Sequence, residues 1–189
     1  VIGLEGACQL VTDRLEAALP GKTAELRTRL GAQPDDLPDV ITVIPHELAR
    51  LELEQWPAVM VVGQNLEQMV RDDVEADGTT WLCTYRLRVW VWARGNDFGH
   101  TDRIRKRLTL AVRELLMQLR RLAADGQIDD RSIAESYSDL DVDNAGATIG
   151  GSWLEFLLVT RETLGTIPIA GLADDVVLDT GALPQHPAL

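Results

Sequence analysis

Cysteine is scarce in this chain: Cys8 and Cys83 are the only two among 189 residues, and they lie far apart. Two such cysteines are too few for a small disulfide-stapled fold and read as reduced, buried thiols of a protein made in the cytoplasm, with a disulfide between them the lesser alternative. No stretch approaches the roughly 18–20 consecutive apolar residues of a membrane-spanning helix. The opening VIGLEGACQLVTDRLEAAL has no basic leader and carries acids early, so it does not read as a signal peptide. His46, His100 and His186 are too scattered for a metal centre, and HELAR at 46–50 lacks the second histidine of a zinc-protease helix. Basic charge is also short, with 18 Lys and Arg against 30 Asp and Glu, a net charge of −12. Binding to nucleic acid or to an anionic membrane over the whole surface is therefore disfavoured.

Catalytic patterns fail when their spacing is checked. GKT at 21–23 ends like a phosphate-binding loop, but Glu16 stands where that loop needs glycine and a helix precedes it; a solvated turn between helices is expected. Asp139, Asp141 and Asp143 alternate like the start of a calcium loop, yet Asn144 and Gly150 replace its glycine and its bidentate glutamate. The acid pairs Asp72-Asp73 and Asp129-Asp130 are adjacent, diverge in regular structure, and read as solvated surface. No nucleophile elbow is present. The expectation is a protein that is not an enzyme and takes no cofactor and no metal.

The pattern predicts an α+β fold: a largely antiparallel sheet with an N-terminal helix and one long helix packed on it, plus an extended C-terminal tail. Leu4, Ala7, Cys8, Val11, Leu15 and Ala18 make a helical stripe. Pro20 and Gly21 are expected to interrupt it, with a second short helix to about Gly31. An irregular connection follows, with an extended piece near 41–44 and a brief helix over 45–54 opened by Pro45. WPAVMVVG at 56–63 suits a buried strand. Asp77-Gly78 predicts a two-residue hairpin turn, whose register pairs Val74 with Trp81, Val70 with Tyr85, Leu66 with Val89 and Glu67 with Arg88. Residues 101–123 read as the longest helix, stopped by Gly126, and two strands follow through 132–142 and 152–162. The expected organisation is a single domain over 1–162 and a tail over 163–189.

One strand carries the most informative surface. In YRLRVWVWARG, residues 85–95, alternation puts Tyr85, Leu87, Val89, Val91 and Ala93 on a core face. Arg86, Arg88, Trp90, Trp92 and Arg94 share the other face. Trp and Arg are the side chains enriched at interface hot spots. Burying both indoles fully is worth on the order of 7–12 kcal/mol gross. Two readings stay open for this face: an intermolecular contact, or a surface covered by the chain's own N-terminal helices. Ten of the 18 basic residues fall between Arg86 and Arg121, leaving the rest strongly acidic, so opposite charges can join copies of the chain. Arg103, Arg105, Lys106 and Arg107 form the densest basic cluster, open to a phosphate-backbone contact or to acidic neighbours; Arg103 and Arg107 are carried forward as interface candidates. The tail bears Pro168, Pro184 and Pro187 and is expected to dock on a neighbour, a tail packed on its own chain being the alternative, with Pro168 and Pro184 as contact candidates.

The order of these elements resembles the tail terminators of long-tailed bacteriophages and, more broadly, the small neck proteins joining head to tail. The resemblance covers about residues 1–162 and lies in WPAVMVV, the DG hairpin with YRLRVWVWARG, TDRIRKRLTLAVRELLMQL and SWLEFLLVTRE. It implies a hexameric ring that caps the tail tube, ends its polymerisation and forms the joining surface for the head connector. The partners implied are the chain itself, the tail tube protein and the head–tail connector or stopper protein. DNA is only cargo passing through the lumen, and no membrane is involved. The implied location is the virion neck, after synthesis in the host cytoplasm. A head-completion or stopper protein of the same neck and a nucleic-acid-binding accessory protein are the alternatives.

Overall fold

The computed structural model describes residues 3–48, 51–72, 80–123, 126–143 and 146–163. The fold is α+β. Its elements run α1 Gly3–Leu30, β1 Thr42–Ile44, a 3₁₀ turn Leu53–Gln55, β2 Ala58–Arg71, β3 Thr80–Gly95, α2 Phe98–Gln118, β4 Arg121–Ala123, β5 Gly126–Val142 and β6 Thr148–Thr163. The sheet order is β1-β2-β3-β6-β5-β4. Only β1 runs parallel to its neighbour; the other pairings are antiparallel. Among the described residues no helix is long and apolar enough to cross a membrane.

Both helices pack on one face of the sheet. Val11, Leu15, Leu19 and Leu26 of α1 and Ile104, Leu108, Val112 and Leu116 of α2 share a core with Leu87, Val89, Val91, Leu154 and Phe156. The strand residues in that core are the alternate positions predicted for β3. Cys8 and Cys83 sit in it as free, buried thiols, and burial pushes both thiol pKa values up. At Gly63 of β2 an added Cβ would lie 2.5 Å from Leu4 Cγ, so the missing side chain is what lets the first turn of α1 press onto the strand.

Four local expectations are corrected. Pro20 does not divide the first helix, which runs unbroken to Leu30. An interior proline costs about 3 kcal/mol, but the buried stripe continues past it through Thr23 and Leu26, and that packing outweighs the lost hydrogen bond. GKT is accordingly not a solvated turn. Lys22 is buried between Glu25 and Glu114, at 2.9 and 3.1 Å, and its pairing with Glu114 ties α1 to α2. Residues 45–48 and 51–52 are not helical. The long helix is shifted to 98–118: Asp97 accepts the His100 backbone N–H at its start, at 2.8 Å, and the chain leaves the helix at 119 to form the short edge strand β4.

The hairpin is present, but its register is not the expected one. Trp81 pairs with Arg71, Leu82 with Val70 and Tyr85 with Leu66, while Arg88 pairs with Val62. Two bulges, between Gly63 and Asn65 and between Leu66 and Gln68, shift the ladder. Glu67 therefore reaches Arg86, at 2.5 Å, instead of Arg88. The Asp77-Gly78 turn and Val74 lie outside the described residues. Asp72, expected to be solvated, is only 4% exposed and holds Arg161 Nε at 2.7 Å.

Candidate functional site: the outer face of the sheet

The second face of the sheet is the candidate site. Residues alternating with the core positions form cross-strand rows here: Ala58–Trp92–Gly151, Met60–Trp90–Trp153 and Val62–Arg88–Glu155. Among the described residues neither helix stands over these rows, because both pack on the opposite face. The reading in which the N-terminal helices cover Trp90 and Trp92 is thereby set aside.

Four indoles gather on this face. Trp90 and Trp92 stack at 5.7 Å, 16° from parallel, Trp153 lies 4.7 Å from Trp90, and Trp56 meets Trp92 edge-on at 6.5 Å. Trp92 lies over Gly151, where an added Cβ would sit 3.0 Å from the ring. A methyl group at 151 would make the indole give by a few tenths of an ångström. The Arg88 guanidinium stands 5.6 Å from the Trp90 ring and 5.7 Å from Trp153, in cation–π range. Because the indoles already stack and are half-buried in the isolated chain, a partner would cover less area than two fully exposed rings offer.

The guanidinium groups are held in place by carboxylates. Arg86 reaches Glu155 at 2.7 Å as well as Glu67, Arg88 reaches Glu155 at 2.8 Å, and Arg94 reaches Asp143 at 2.9 Å. Hydrogen bonds from Arg88 and Arg86 hold the Glu155 carboxyl below the usual range. The same bonds, with Glu67 first, raise Arg86 above its ordinary value. Fixed in this way, the arginines lose little further rotamer freedom when a partner arrives, and the lower ordering cost favours association.

The strand contributes Arg86, Arg88, Trp90, Trp92 and Arg94 to one surface, as expected. The structure places Arg103 and Arg107 elsewhere, on α2. Arg103 reaches Asp36 Oδ1 at 2.9 Å and Arg107 reaches the Asp36 carbonyl at 3.2 Å, so both clamp the 31–39 loop to the helix. Arg105 is buried; it donates to the Ser138 and Gly151 carbonyls and to Asp102, and lies over the Tyr137 ring. Lys106 reaches Asp102 at 2.6 Å, so all four members of the basic cluster have partners within the chain. Pro168 and Pro184 lie outside the described residues.

Sequence reasoning missed Trp153 and Trp56. A signal for Trp153 was present in SWLEFLLVTRE, where alternation places Trp153 and Glu155 on the side opposite Leu154 and Phe156. Only the β3–β6 pairing brings them beside Trp90 and Arg88. Among the described residues there is no group of three or more His, Cys, Asp or Glu able to hold a metal ion. No protein-family model matches this chain, and no curated protein matches it.

Proposed function

We propose that this chain is a structural subunit that works by fitting against other copies and partners, specifically the tail terminator of a long-tailed bacteriophage. In this reading it forms a hexameric ring on the tail tube, ends tube growth and offers its other side to the head connector, with DNA passing through the lumen. It carries out no bond-making chemistry. The observation that supports the reading most is the outer sheet face, where four tryptophans and the Arg86–Arg88–Glu155 cluster stand free of either helix. Aromatic and Arg side chains already ordered on a rigid sheet suit an interaction hot spot.

The accessory nucleic-acid reading loses support from the engagement of Arg103, Arg105 and Arg107 in contacts within the chain. Native mass spectrometry of the purified chain, alone and mixed with tail tube protein, tests the proposal. A closed oligomer, or one appearing when tube protein is added, is expected. A chain that stays monomeric in both samples overturns it.

A further inference from the structure

We infer that the aromatic row on the outer face is a docking site for the C-terminal PxxP segment of a neighbouring copy, Pro184-Gln185-His186-Pro187. The inference rests on the proposed function, since it names what one subunit places on the next. Polyproline segments bind aromatic-lined surfaces because their backbone is already extended and little order is lost on binding. The surface offered here is a succession of four rings, with centroids separated by 6.5, 5.7 and 4.7 Å along the order Trp56, Trp92, Trp90, Trp153. One polyproline turn, about 9 Å long, is longer than any one of these separations, so a single turn meets more than one ring. The segment 164–189 holds three aspartates and no Lys or Arg. Arg86, Arg88 and Arg94 beside the rings already hold Glu67, Glu155 and Asp143, so recognition falls to the rings and not to the tail's aspartates.

The tail is long enough to reach the row of its own chain, and it is the ring reading that assigns the contact to a neighbour. β6 contributes Trp153 to the row and then runs ten residues away from it to Thr163, about 33 Å at strand rise. The tail therefore starts at one end of the sheet and the aromatic row lies toward the other. Residues 164–183 add up to about 65 Å of reach beyond that end. A contact joining the tail of one copy to the row of the next uses two different surfaces, so it propagates head to tail and closes into a ring when the rotation permits.

Two full-length variants separate donor from acceptor. Pro184→Ala with Pro187→Ala disables the tail and leaves the row intact. Trp90→Ala with Trp92→Ala disables the row and leaves the tail intact. Each is expected to lose self-association by at least about tenfold in Kd, and an equimolar mixture is expected to recover a mixed dimer on native mass spectrometry. A synthetic peptide of residues 181–189 should shift the indole emission of the proline variant saturably. The same peptide with both prolines replaced should not.

If the proline variant still assembles like the unaltered chain, the tail inference is overturned while the ring reading stands. If the unaltered chain is monomeric yet the peptide shifts its variant's emission, the tail binds its own sheet and the neighbour assignment is overturned. If the peptide shifts nothing, the aromatic row has another occupant. Should the tryptophan variant fail to fold, the proline variant and the peptide still decide the matter, because both leave the sequence of the folded core untouched.

Discussion

The two faces of the sheet use the same strands for opposite ends. On the covered face, Leu87, Val89, Leu154 and Phe156 are almost fully removed from water by α1 and α2. On the outer face, Trp90, Trp92 and Trp153 remain half-buried, held by each other and by Arg88. The covered face is apolar and stabilises the fold through burial. The outer face is aromatic and charged, and is ordered by stacking and ion pairs that leave surface for a partner. The comparison shows how a strand can give one row of side chains to stability and the alternate row to recognition.

The largest expected effect breaks the covered face. Phe156→Ala removes a ring that is 1% exposed and should cost about 3–5 kcal/mol in denaturant unfolding. Gly63→Ala comes next, because its Cβ would lie 2.5–2.9 Å from three carbons of Leu4. Moving that side chain and the first turn of α1 should cost about 1–3 kcal/mol. Trp90→Ala combined with Trp92→Ala breaks three ring pairs, each worth about 0.5–1.5 kcal/mol beyond burial, and should leave the chain folded while assembly weakens clearly. A chain that no longer folds would mean the indoles are core residues, and the contrast between the faces would fail.

The smallest effect is electrostatic. The Glu155 carboxyl is held below its ordinary value of 4.5 by Arg88 and Arg86, so its folded form binds a proton less readily than the unfolded chain does. Its contribution is present above pH 4.5 and is lost as pH falls through the lower folded value. Glu155→Gln should therefore lower stability at pH 7 by under about 1 kcal/mol and flatten the acid limb of the stability profile. An unchanged acid limb in that variant would show that these ion pairs do not hold the arginines.

Much of the fold was legible because it is periodic. Alternation in 85–95 identified both faces of β3, and the 3.6-residue stripe identified α1 and the body of α2. The misjudged places are those where tertiary contacts overrule a local signal. Pro20 is a helix breaker by itself, but Leu26 and Lys22 have burial sites only if the helix continues. The hairpin register followed from an assumed tight turn, but the pairing nearest the turn, Arg71 with Trp81, is already three residues from the expected one, and two bulges in β2 add two more by Arg88. Arg105 reads as a surface cation until its partners, the Ser138 and Gly151 carbonyls, are brought beneath it by β5 and β6.

The sequence alone determined which residues could share a face, because side-chain direction along a strand or helix is set by backbone geometry within a few residues. It also determined the class of fold and the absence of recognisable catalytic spacing. Only the tertiary structure decided that both helices occupy one side, that Trp153 and Trp56 join Trp90 and Trp92, and that Arg103 and Arg107 serve a loop instead of the aromatic face. Those outcomes depend on pairing between segments distant in the chain, and such pairing is settled by the burial and hydrogen bonding of the whole sheet at once.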